Sequence, residues 1–193
     1  MDLLLRQEAD RAKDIAECLN TVRDYDKDHV QDLTVTIQRL NALSWALREL
    51  DHRIGAVGGR LNKGFIDDLR LLQLSVAFTL QDVWTILGKI PRHAVKIDYL
   101  TAWWEVGRYC HDMGKRTLTM RLNIYELFAY GLCKILLRQS HNRDHIDNLR
   151  HQIFDLQTQQ LHGRRLIALT ENFNTLSLVP VQQAGAHILP AMF

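Results

Sequence analysis

Residues 23–33 read RDYDKDHVQDL and place carboxylates at Asp24, Asp26 and Asp28, with Asp32 four positions on. Alternating acids open a calcium loop, because a hard cation gathers several oxygens around one tight turn. Such a loop also requires glycine at its sixth position and a bidentate glutamate at its twelfth. Counted from Asp24, those places hold His29 and Val35, so the coordination shell does not close. Aspartates also accept the free N–H groups of a first helical turn. Asp28 with Gln31 has capping-box spacing, and Asp32 puts negative charge near the positive end of the same helix. The cluster reads as helix punctuation.

Other chemistry-bearing patterns fail in similar ways. HNRDH sets His141 and His145 four apart, but Asn142 stands where a zinc hydrolase carries its glutamate base. Cys110 and His111 are adjacent, and neighbours on a helix diverge too far to form a thiol–imidazole dyad. The glycine-rich GAVGGRLNKG at 55–64 has the spacing of a phosphate loop between Gly59 and Gly64, yet Phe65 takes the lysine position. No GxSxG elbow is present. The sequence therefore assigns no catalytic residue, no cofactor and no metal, and favours a non-enzyme.

Aromatic residues offer more. Trp103 and Trp104 are consecutive, so they point about 100° apart around a helix, one inward and one outward. With Tyr109 and Tyr125 they form a candidate pocket or partner-docking anchor, since Trp and Tyr dominate interface energetics. Arg121 and Glu126, threaded through apolar sequence, are candidates for a buried ion pair that fixes helix register. Ile146, Leu149, Ile153 and Leu156 keep heptad spacing, a narrow stripe that suits an outer helix or a partner surface.

These residues need elements to carry them. Only 3 prolines and 10 glycines punctuate 193 residues, and apolar positions recur at three-and-four spacing. The pattern predicts helices over about 2–22, 28–54, 65–87, 98–112, 117–139 and 144–161, with a weaker helical turn at RRLIALT. The helices at 65–87 and 117–139 are apolar on nearly all sides, which places them centrally. From Glu171 the period fails. The expectation is an all-α bundle of about six helices over residues 1–170, followed by an irregular strap or linker at 171–193.

Composition narrows the partners. Lys and Arg number 24 against 22 Asp and Glu, a net charge of +2 that offers no concentrated basic surface for nucleic acid. The longest apolar run, IYELFAYGLCKILL, carries Glu126 and Lys134 and is shorter than the roughly 20 residues that span a bilayer, so a membrane role is not expected. Three scattered cysteines, an odd number without a CxxC pair, suit reduced thiols in a cytoplasmic protein.

FIDDLRLLQLSVAFTLQDVWTILGKI (65–90) and DYLTAWWEVGRYCHDMGKRTLTMRLNIYELFAYGLCKIL (98–136) resemble helical domains of proteins from filamentous fungi. More distantly, IQRLNALSWALRELD is similar to the HeLo-like helical domains that precede fungal NACHT-type receptors. That resemblance implies protein assembly and signalling. The charged start MDLLLRQEADRAKD lacks the apolar leading helix of membrane-attacking members, so their pore-forming activity does not carry over. The expectation is a non-catalytic interaction or adaptor domain that binds a protein partner or itself. A small helical enzyme or ligand-binding protein with an aromatic pocket is one alternative. A membrane-surface cell-death module, with residues 3–22 as an interfacial helix, is another.

Overall fold

The structure is a computed structural model describing residues 4–57, 61–91, 93–140 and 142–176, the side chains of 166–176 excepted. Among these residues it is all helix: α1 (Leu5–Tyr25), α2 (Val30–Val57), α3 (Lys63–Leu87), α4 (Lys96–Asp112), α5 (Leu118–Leu136) and α6 (Arg143–Leu176). Local chemistry sets several of the starts. The Asn62 side chain accepts from Phe65 N at 2.8 Å, Thr117 from Met120 N at 3.2 Å and Asn142 from His145 N at 3.1 Å. Asp98 reaches back to Val95 N at 2.8 Å, the reciprocal half of a capping box.

The α1–α2 turn corrects the sequence reading in one respect. Asp26, not Asp28, organises it, accepting from the N–H groups of Asp28 and His29 at 3.1 Å each and from His29 Nδ1 at 2.9 Å. Asp28 stays exposed. Asp32 does occupy the first turn of α2, as expected.

α1 turns Ala9, Ala12, Ile15, Ala16, Leu19 and Val22 inward, and its alanines let α2 approach closely. The pair is antiparallel, tied by Ser44 Oγ donating to Ala9 O at 2.7 Å and by Arg6–Asp51 at 2.6 Å. α2 and α5 run parallel, as Thr36–Thr119, Arg39–Glu126 and Trp45–Tyr130 show. α3 and α6 are also parallel, with Asp68–Arg150, Thr79–Gln160 and Asp82–Arg164 at a nearly constant offset of 82 residues. The neighbours α1–α2–α5–α6–α3 close into a ring through α3 and α1, and α3 touches α5 across its middle.

That places α3 against α1, α4, α5 and α6, and α5 against α2, α3, α4 and α6, the two most enclosed helices. The wrapping of α3 is less complete than its composition predicts: Leu74 and Trp84 lie 47% and 41% exposed on its outer face. α4 does not join the ring. Its Tyr99 stacks on Tyr25 at the end of α1 (centroids 4.6 Å), and its Tyr109 reaches Asp82 near the end of α3. It therefore crosses the end of the bundle where α1 and α3 finish and α2 and α5 begin.

α6 is longer than the pattern predicts and continues through RRLIALT to Leu176. Residues 177–193, most of the expected strap or linker, lie outside the described residues. Cys18, Cys110 and Cys133 are free thiols. Among the described residues, no helix is long and apolar enough to cross a membrane.

Gly131 marks a close approach, since a Cβ there would fall 2.0 Å from Ile146 Cδ1, while Gly55, inside α2, has nothing within 4 Å. Gly131→Ala should force the buried Ile146 side chain out of its place against α5, at a cost of about 1–3 kcal/mol. Gly55→Ala should stabilise by up to about 1 kcal/mol through helix propensity alone. Urea midpoints moving in opposite directions for the two variants check this.

Candidate functional site

Among the described residues, side chains with chemistry converge in a groove beneath α4 and in a polar network inside the bundle behind it. The groove encloses about 860 Å³ and opens to solvent. One wall is the α1–α2 turn and the start of α2, with Asp28, His29 and Asp32; the opposite wall is α4, with Trp103, Trp104, Arg108 and His111; the first turn of α5 adds Thr119 and Met120. Thr36 donates its hydroxyl to Asp32 O at 2.8 Å, so Thr119 is the donor in the 2.7 Å Thr36–Thr119 bond that joins α2 to α5.

The consecutive tryptophans divide as the helix geometry requires. Trp103 is half-buried against the core, whereas Trp104 is 63% exposed with the Arg108 guanidinium 5.1 Å above its ring. Met120, also on the rim, is 52% exposed. A long apolar side chain and an indole covered on one side by Arg108 thus line the groove together with the exposed carboxylates of Asp28, before α2, and Asp32, in its first turn.

Tyr109 and Tyr125 do not join them, because they face the interior. The Tyr125 hydroxyl shares a 2.9 Å bond with Thr79, the Gln160 amide donates to Thr79 at 2.8 Å and to Tyr109 at 3.4 Å, and Tyr109 donates to Asp82. Asp82 in turn accepts from Arg164 at 2.5 Å, and Arg164 lies 4.5 Å above the Phe78 ring. Burial pushes the Tyr125 hydroxyl up to about 12 and the Cys110 thiol up to about 11. Burial, reinforced by Asp82, raises Tyr109 as well. The network joins α3, α4, α5 and α6 at one buried point.

Arg121 does not make the buried ion pair expected of it. It is fully buried, yet among the described residues no carboxylate pairs with it. Its Nη2 donates to Cys110 O at 2.7 Å and Met113 O at 2.8 Å, its Nε donates to Arg116 O at 3.3 Å, and the Tyr109 ring lies 5.8 Å away. The cation sits on the free carbonyls at the negative end of α4 and caps that helix from inside the protein. Gly114 permits the turn around it: φ is +132°, and a Cβ there would lie 2.1 Å from Gln159 Oε1. Glu126 is ion-paired, but with Arg39 at 3.0 Å.

The stripe of Ile146, Leu149, Ile153 and Leu156 is likewise corrected. All four are buried in the core the bundle builds with α3 and α5, so this face serves the fold and is not free for a partner. Among the described residues no group of His, Cys, Asp or Glu is arranged to hold a metal; His141 lies outside them.

The sequence reading missed Asp82, Gln160 and Arg164. The available signal was polar residues on otherwise apolar faces, as at Thr79 and Gln160, but nothing in one sequence pairs positions 82 residues apart. Compared with known families, curated proteins and solved structures, the chain matches none.

Replacing Arg121 with Met would leave the carbonyls of Cys110 and Met113 without their donor, and should cost about 2–4 kcal/mol in chemical denaturation. A tyrosine whose pKa rises from 10.0 to about 12 on folding loses its proton more readily when unfolded. Stability is therefore intact below pH 10 and falls as pH rises from about 10 to 12. Tyr125→Phe should flatten that fall, as read from denaturation midpoints across the window.

Proposed function

We propose that the chain is a non-catalytic protein-interaction domain whose groove receives an amphipathic segment of a partner. The observation that carries this is the pairing of exposed Trp104 and Met120 with the carboxylates of Asp28 and Asp32 across an open groove of about 860 Å³. The matching segment carries a bulky apolar anchor flanked by lysine or arginine. Aromatic anchors supply most of such an interface's energy, while the charges set orientation and rate. The reading agrees with the resemblance to fungal signalling domains and with an adaptor working in the cytoplasm on a protein partner.

The alternative of an enzyme or small-ligand protein has less support. Its aromatic set divides between an open groove and a closed structural network, and the buried hydroxyls and thiol stay protonated. An interfacial role for α1 gains no support either, since the apolar face of that helix is already buried in the bundle.

A fluorescein-labelled amphipathic peptide of leucines and lysines, titrated by anisotropy into the full chain, tests the proposal. Binding should weaken at least tenfold in Trp104→Ala, and added salt should weaken it less in Asp28→Asn/Asp32→Asn than in the parent. An analogue with glutamate for lysine should not bind. Equal binding of both peptides, or no loss in Trp104→Ala, would overturn the assignment.

A further inference from the structure

α4 crosses the end of the bundle and turns one face to solvent. Ile97 and Trp104, 62% and 63% exposed, are the two most exposed large apolar side chains among the described residues. Seven residues make nearly two full turns, so the two share that face and stand about 10 Å apart along the helix. Leu100 and Gly107, both of which line the groove, complete the three-and-four spacing of a helix-pairing seam. A Cβ at Gly107 would meet nothing within 4 Å, which leaves the backbone there open to close approach by another helix. Beside the face it packs on the core, α4 thus carries a second, narrower apolar stripe.

Charge is divided unevenly around this stripe. From residue 83 to residue 97 the chain carries Lys89 and Lys96 but no carboxylate. Lys96 is exposed between the exposed Val95 and Ile97, and the next acid, Asp98, is committed to capping, accepting from Val95 N at 2.8 Å. Lys96, Trp103 and Gly107, spaced by seven and four, lie on the flank of α4 that turns to the groove. Across the groove stand Asp28 and Asp32, exposed and, among the described residues, paired with no cation. The start of α4 therefore has what the groove selects, a bulky apolar anchor beside a lysine. A straight helix cannot enter the groove it walls, so Ile97 can fill only the groove of another molecule.

We propose that the groove receives α4 of a second copy, antiparallel to the first across a two-fold axis, so that Lys96 and Ile97 of each chain enter the groove of the other. This rests on the groove being a peptide site and names its occupant. Charge selects the antiparallel sense: it sets the Lys96 end of one helix against the Asp28 and Asp32 wall of the other copy, whereas the parallel sense sets Lys96 against Lys96. With Ile97 of one copy on Trp104 of the other, the axis passes beside Leu100. A two-fold contact uses one patch twice, so both grooves are filled at once and assembly closes at two chains.

Sedimentation equilibrium of the full chain tests this. The mass should double reversibly from 22.4 kDa as concentration is raised a hundredfold. Ile97→Glu, a change at an exposed site, should weaken the dimer at least tenfold and leave the circular dichroism unchanged. Lys96→Glu should weaken it, and so should Asp28→Lys/Asp32→Lys. Mixing these last two variants should restore the dimer, because every reversed charge then meets its opposite, a rescue that a misfolded variant would not give. A chain that stays at 22.4 kDa, a dimer indifferent to Ile97→Glu, no restoration on mixing, or growth beyond two copies would each refute the proposal. If the labelled leucine–lysine peptide binds through Trp104 while the chain stays single, self-pairing fails and the docking function stands. If mixing restores the dimer but the peptide does not bind the Ile97→Glu monomer, docking of foreign segments fails alone.

Discussion

A buried guanidinium sets the geometry on which the groove depends. α4 buries only Ala102, Val106 and Cys110 completely, with Tyr99, Trp103 and Tyr109 packed partly against the core, so polar contacts add to what fixes its direction across the bundle. Arg121, rising from the first turn of α5, holds the carbonyls of Cys110 and Met113 and so pins the last turn of α4 to its neighbour. Removing a cation from water costs several kcal/mol. Here the free carbonyls at a helix's negative end and the face of Tyr109 offset it. The Tyr25–Tyr99 stack secures the other end of α4. Between these two anchors, Trp104 is held at the rim although it is itself little buried.

The rest of the bundle is held in register by polar contacts spaced along an apolar core. Asp68 accepts two hydrogen bonds from Arg150 at 2.6 and 2.8 Å near one end of the α3–α6 pair, and Asp82 accepts from Arg164 near the other. Paired Asp68 raises the Arg150 pKa above its ordinary value. Bidentate arginine–carboxylate pairs are geometrically specific, whereas leucine faces tolerate sliding by a turn. Thr79, Tyr125 and Gln160 add a fixed point midway and bring α5 into it.

Much of the architecture was legible in the sequence because periodic apolar faces and scarce breakers are local signals. Six helices, the enclosure of α3 and α5 and the split between Trp103 and Trp104 all follow from three-and-four spacing. The failures share a cause. Arg121 and Glu126 both read as ion-pair candidates, and Glu126 does pair, with Arg39, but the partners of Arg121 are backbone carbonyls, which residue type does not reveal. The Ile146–Leu156 stripe has the same pattern whether it meets a partner or its own core, and only the topology decides. Asp26 and Asp28 are equally good caps on paper; the path of the turn selected Asp26. The groove itself joins residues near 30, 104 and 120, a juxtaposition that no local pattern encodes.

The parallel pairing of α2 with α5 and of α3 with α6 has a kinetic consequence. Helical proteins usually fold fast because most of their contacts join residues close in sequence. In this bundle the ring closes only when segments more than eighty residues apart find one another, as between Thr36 and Thr119 or Asp82 and Arg164. The entropy of closing those long loops precedes the reward from the buried pairs. The α1–α2 hairpin rests on contacts close in sequence, whereas the flank it shows to α5 is covered only by the second half of the polypeptide.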